Sequence, residues 1–171
     1  MRVYFCHGLE SGPHGSKYQA LRDAGLDVIS PDFQGQRLSV RVDALLEILR
    51  DAPPCVLVGS SYGGITAVCA AQAHADAGGD AVRGLVLCAP ALTIDESPAR
   101  DNPIRFAAPT TIIHGVHDDV VPIAPVRAIA EELGARWVER DDDHRLADSR
   151  ATIVAETIRM IEESATTPRA K

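Results

Sequence analysis

Short apolar runs alternate with longer amphipathic segments along this chain. Residues 2–6, 56–58, 85–88 and 110–114 are apolar or β-branched with little polar alternation, the pattern of strands buried on both faces. Two weaker runs, 27–30 and 136–139, complete a set of six expected strands; the last is more polar and suits a sheet edge. Between them the spacing turns helical. Ser16 and Gln19 form a capping-box pattern, and the helix they open is expected to end near Gly25. Leu38, Val42, Leu45, Leu46 and Leu49 recur at helical spacing, with Arg41, Asp43, Glu47 and Arg50 interleaved as polar positions, until Pro53-Pro54. A nearly all-apolar helix runs from Ile65 to His74 and stops at Gly78-Gly79. Pro122 suits the first turn of a helix whose inner face is Ile123, Val126, Ile129, Ala130 and Leu133. Ala147, Ala151, Val154, Ile158 and Ile161 give the last one. Strands alternating with helices imply a parallel sheet covered on both faces.

At 171 residues the chain suits one domain with a sizeable core, expected over 1–163 with a frayed tail at 164–171. Aromatics are only 4%, so aliphatic residues must fill that core. A formal net charge of −7 argues against nucleic acid or an anionic membrane as partner. No apolar run is long enough to span a bilayer, and the N-terminus reads directly as a strand without a signal peptide. Cys6, Cys55, Cys69 and Cys88 form no C-x-x-C pair and read as reduced, buried thiols of a cytoplasmic protein.

The chemistry-bearing stretch is Gly59-Ser60-Ser61-Tyr62-Gly63, a G-x-S-x-G motif between a buried strand and a buried helix. Such a turn strains the serine backbone and exposes its hydroxyl at a helix N-terminus. A serine is a poor nucleophile unless a base takes its proton. His144 is suited to be that base, and a carboxylate must then orient the ring.

With Ser61, a later aspartate and a late histidine in that order, the chain resembles the α/β-hydrolase superfamily. Residues 114–122, HGVHDDVVP, look like the superfamily's HGxxDxxVP signature, which implies Asp118 as the acid. His144 matches its histidine, and His7-Gly8 the HG of its oxyanion loop. The resemblance implies a mainly parallel sheet of about six strands, order 2-1-3-4-5-6, in a short version of the fold without a cap. It further implies backbone donors at Leu9 and Tyr62, a substrate cleft near His7, Gly8, Leu92 and Phe106, and neither cofactor nor metal. The implied activity is cleavage of small carboxylic esters, or thioesters, of short acyl chains by an acyl-enzyme on Ser61. The residues alone leave the oligomeric state open.

Rival readings stand beside these. Asp119 could replace Asp118 by a one-residue shift, and Asp95 follows the fourth strand, where some superfamily members carry their acid. Asp141, Asp142 and Asp143 read as a solvated loop, without the second histidine that metal-ligand spacing needs. His7 and His114 suit structural roles, His14 and His117 a rim, and His74 an exposed helix face. A serine peptidase or amidase of the same fold, or a non-catalytic binding module, are the alternative functions.

Overall fold

The structure, a computed structural model, describes residues 1–166. In chain order the elements are β1 (Arg2–Cys6), α1 (Ser16–Asp23), β2 (Val28–Ile29), α2 (Leu38–Arg50), β3 (Cys55–Ser60), α3 (Tyr62–Asp76), β4 (Val82–Cys88), β5 (Thr110–Gly115), α4 (Ile123–Glu132), β6 (Arg136–Arg140) and α5 (Arg150–Thr166). Among the described residues, six strands form one sheet in the order β2-β1-β3-β4-β5-β6, each pair parallel.

The strand side chains divide by parity, as a pleat requires. Tyr4, Cys6, Leu57, Leu85, Leu87 and Ile112 pack on one face with Leu45 and Leu49 of α2, Ile65 and Val68 of α3, and Val126 of α4. Val3, Phe5, Val56, Val58, Val86 and Ile113 pack on the other with Leu21 of α1 and Ile153 and Met160 of α5. Both faces are covered, which explains why the inner strands lack polar alternation. β6 is only half covered and lies at the edge. All β-to-α loops therefore leave the same edge of the sheet, the carboxyl ends of the strands, where open α/β sheets bind ligands.

Several local expectations differ. The Ser16 capping box does not form: Gly15 holds the N-cap position, and the Gln19 side chain donates to Asp23 instead. Pro122 is the N-cap of α4 rather than its first helical residue. α5 begins at Arg150, not Ala147, and continues through Thr166. Ser164–Thr166, expected in the tail, are thus helical, and Ser164 Oγ donates to the Arg83 carbonyl at 3.0 Å. The rest of that expected tail lies outside the described residues. His74 is half-buried rather than exposed: its Nε2 accepts from the Ala81 N–H at 3.2 Å, and Gly79 lies so close that a side chain there would meet the ring.

Arg41 is the largest departure. Its polar character suggests the wet face of α2, yet it is fully buried and the bulkiest of the fully buried side chains. It lies three residues after Leu38 and four before Leu45, so its position belongs to the apolar stripe.

Candidate active site

β3 ends in a sharp turn that leaves Ser61 at φ +53°, ψ −117°, a region side chains rarely occupy. The strain is held by packing around it. A Cβ on Gly59 would come within 2.5 Å of the Gly63 carbonyl, and one on Gly63 would run into the Cys6 backbone. Only glycines let β1, the turn and α3 approach this closely. The Ser61 N–H donates to the Cys88 carbonyl at 2.9 Å, tying the turn to β4. Tyr62 and Gly63 open α3, and first-turn N–H groups have no intrahelical acceptor.

Two loops converge on this serine. His144, in the loop after β6, places Nε2 3.0 Å from Ser61 Oγ. Its Nδ1 lies 2.8 Å from Asp118 Oδ2. With the proton on Nδ1, the ring donates to the carboxylate and accepts from the serine hydroxyl. The Asp118 side chain is fully buried, in the loop after β5. Its Oδ1 accepts the N–H groups of Val120 and Val121 at 2.9 and 2.8 Å. His114 Nε2 lies 3.1 Å from Asp118 Oδ2 and 3.1 Å from the Val121 carbonyl, so that nitrogen carries the proton and donates to both. Burial presses the His114 pKa below its ordinary value, against the pull of Val121 and Asp118.

The other candidates for the acid do not join this chain of hydrogen bonds. Asp119 lines the cleft without reaching His144, and Asp95 is 86% exposed beside Arg100. His117 pairs with Asp141 at 2.8 Å on the surface, and His14 packs against Tyr18; neither lines the cleft.

The Asp141–Asp143 stretch is only partly solvated. Asp141 is exposed, but Asp142 is buried at 8% exposure. Asp142 Oδ1 accepts the Asp143 N–H at 2.8 Å, and Oδ2 accepts Ser149 Oγ at 2.7 Å and the Asp148 N–H at 3.0 Å. Burial alone would raise its pKa; the Ser149 hydroxyl and the backbone donors outweigh it and hold the carboxyl below its ordinary value. This buried acid fixes the loop that carries His144. The Asp142 carbonyl also accepts the His117 N–H at 3.0 Å, joining the two loops where Gly115 leaves no room for a side chain.

Ser61, Tyr62 and His144 face a cleft of about 1190 Å³. Its walls include Gly8, Leu9, Lys17, Ile94, Val120 and Val121. Of the residues expected there, Gly8 and Leu9 line it, but His7, Leu92 and Phe106 do not. His7 is fully buried behind the loop, Leu92 is buried in the core, and Phe106 packs against that core. The connection from β4 to β5 carries turns and no helix. Its later part lies along α3, with Gln72 Nε2 donating to the Pro103 carbonyl and Arg105 pairing with Asp76.

The four cysteines are free. Burial pushes the Cys6 and Cys55 thiols up to about 12 and those of Cys69 and Cys88 to about 11, so none is a thiolate nucleophile at neutral pH. Among the described residues, no group of three acidic, histidine or cysteine side chains could hold a metal ion, and no helix is long and apolar enough to cross a membrane.

The sequence matches the model of the alpha/beta hydrolase family over residues 3–168. A crystal structure of a hydrolase of the alpha/beta superfamily from Xanthomonas campestris pv. campestris is 30% identical, with 95% of this chain and 98% of that one covered and a TM-score of 0.76. A monoacylglycerol lipase from Paleococcus ferrophilus is 18% identical over 93% of this chain and 94% of that one, with a TM-score of 0.67. The thioesterase domain of the curacin biosynthetic pathway is 14% identical over 92% and 90%, with a TM-score of 0.69. The last two likenesses are of fold alone. No curated protein matches the sequence.

Proposed function

The chain belongs to the alpha/beta hydrolase family, and we propose that it is a serine hydrolase cleaving small carboxylic esters of short acyl chains. The observation that carries this reading is the unbroken line Ser61 Oγ, His144 Nε2, His144 Nδ1, Asp118 Oδ2, drawn from two loops onto a strained serine. Ser61 Oγ attacks the acyl carbon as His144 Nε2 takes its proton. The carbonyl π pair moves to oxygen, and the N–H groups of Tyr62 and Leu9 receive the oxyanion. Collapse expels the alcohol oxygen, which takes the proton from His144 and leaves the acyl group on Ser61. Water then attacks that ester by the same proton path and releases the acid. A thioester would follow the same steps with a thiol as leaving group. Asp118 holds the ring and stabilises the imidazolium throughout.

The cleft supports the short acyl chain. Leu9 and Val120 are 52% and 63% exposed, so a long chain laid on them would stay largely in water. Full enclosure is worth only about 0.8 kcal/mol per CH₂, and an open wall less. Four free thiols suit the reducing cytoplasm.

A fluorophosphonate probe and a series of p-nitrophenyl esters test the reading. Wild type is expected to label at Ser61 alone, with kcat/KM highest from acetate to hexanoate. S61A and H144A should lose turnover by at least about a thousandfold while keeping their circular dichroism, because the groups act as one unit. Folded wild type that neither labels nor turns over any ester overturns the reading.

A further inference from the structure

The mechanism above leaves one buried charge without a role. Arg41 of α2 is completely buried, and among the described residues no carboxylate forms an ion pair with it. Its donors go to neutral backbone instead. Nε donates to the Gln36 carbonyl at 3.0 Å, and Nη1 to the carbonyls of His7 at 3.0 Å and Gly8 at 3.4 Å. Nη2 is buried with no partner in the protein. The guanidinium carbon sits 4.8 Å from the centroid of the Tyr62 ring. Arginine stays charged in such surroundings, and a buried, unpaired charge costs several kcal/mol. Packing alone would be served better by leucine or methionine.

The atoms Arg41 reaches explain what offsets that cost. The Gly8 carbonyl is also bonded by His7 Nδ1 at 2.8 Å. The Phe33 N–H donates to His7 Nε2 at 2.8 Å, so the His7 proton must sit on Nδ1 and point at Gly8. Two buried donors thus hold the Gly8 oxygen on the core side. The Gly8–Leu9 peptide is trans, so its N–H points opposite to its C=O. Leu9 N–H is therefore turned toward the cleft, where the loop passes Ser61: a Cβ on Gly8 would lie 3.8 Å from Ser61 Cβ. The same guanidinium stacks on Tyr62, which supplies the second donor.

We propose that Arg41 is a positioning residue for the oxyanion site, aiming the Leu9 N–H from behind and setting a positive charge one peptide away from the developing oxyanion. The inference rests on the serine-hydrolase reading. In a dry interior such a charge acts over this distance with little screening, and it is fixed before the reaction begins.

The test compares wild type, R41K and R41M, with active serines counted by fluorophosphonate titration so that unfolded protein drops out. R41M should lower kcat per titrated serine by about 10- to 100-fold, below the loss of a whole oxyanion donor, with KM nearly unchanged. Affinity for a trifluoromethyl ketone, which forms a tetrahedral oxyanion on serine, should fall by the same factor. R41K keeps the charge but not the fork and should lie between the two; if R41M does not fold, R41K carries the comparison against wild type. A variant with wild-type kcat per titrated serine and wild-type ketone affinity, altered only in melting temperature, overturns the proposal and leaves the serine mechanism standing. Wild type that fails to label overturns both.

Discussion

The loop after β1 and the loop after β6 flank Ser61 from opposite sides of β3, and each is organised by a buried charge that pairs with no ion. Arg41 donates to the carbonyls of His7 and Gly8, whereas Asp142 accepts from the N–H groups of Asp143 and Asp148 and the Ser149 hydroxyl. In both cases a full charge orients peptide dipoles, and hydrogen bonds to charged groups are stronger than neutral ones. The difference is where the charge comes from. Asp142 belongs to the loop it holds, so the His144 loop is largely self-contained. Arg41 reaches across from α2, 33 or 34 residues away in sequence, so the β1 loop depends on helix packing. One side of the site should fail locally and the other through the core.

Asp142→Ala tests the self-contained side and should have the largest effect on stability. It strands the Ser149 hydroxyl and two backbone donors, each unmet buried donor costing about 1–3 kcal/mol before water enters. A loss of about 3 kcal/mol in chemical denaturation is expected, with kcat per titrated serine falling at least about tenfold as His144 loses its fixed place. Asp142→Asn keeps one acceptor oxygen and should lose about half as much stability. Wild-type behaviour in Asp142→Ala would mean that the loop is held from outside, as the β1 loop is.

Stability should also fall in separate pH stages. Burial lowers the His7 pKa, against the Gly8 carbonyl that would raise it, and His114 is lowered likewise. Both are neutral in the fold and gain protons more readily when unfolded. Their contribution is complete above the ordinary value of about 6.5 and is lost as pH falls from there through the depressed folded values. The Asp142 carboxyl is also depressed, so its contribution is complete above about 3.9 and lost only in stronger acid. Denaturation midpoints measured from pH 8 downward should therefore decline in two stages. His7→Gln should flatten part of the first and Asp142→Asn only the second. A single decline confined below pH 4 would contradict the neutral, buried histidines.

The two regions are unequally legible in the sequence. The alternation of strands and helices is legible because both-face burial leaves apolar runs that periodicity detects; the sheet order comes from the resemblance. Ser61 stands out because glycines and an apolar strand end mark its turn, whereas Asp118 and His144 are implied by the resemblance to α/β-hydrolases; the fold brings the three within hydrogen-bond distance. Arg41 and Asp142 depart from the sequence expectation for one reason. Residue type suggests water for a charge, and most of the partners that keep these two buried are backbone groups, which every sequence has everywhere. The signal for Arg41 was its place in the stripe between Leu38 and Leu45. For Asp142 no comparable signal exists, since the acceptor pattern depends on how the loop turns. Leu92 and Phe106, expected in the cleft, belong with the core; apolar character cannot distinguish a pocket wall from core.

The smallest expected effect comes from a tie that the His144 loop receives from α1. Lys17, at the start of α1, donates through Nζ to the Arg145 carbonyl at 2.6 Å, one residue beyond His144. It is half-buried, and burial lowers its pKa against the opposing pull of Cys88, Asp142 and Asp143. If Asp142 already fixes the loop, this bond is redundant for placing the imidazole. Lys17→Met keeps much of the stem's packing and removes only the donor, and water can replace it at a carbonyl this close to the surface. Stability should fall by about 1 kcal/mol or less, and kcat by no more than about two- to threefold. A tenfold loss of kcat per titrated serine, with the fold intact, would show that the His144 loop leans on α1 as the β1 loop leans on α2. The contrast between a self-held and a core-held side would then be gone.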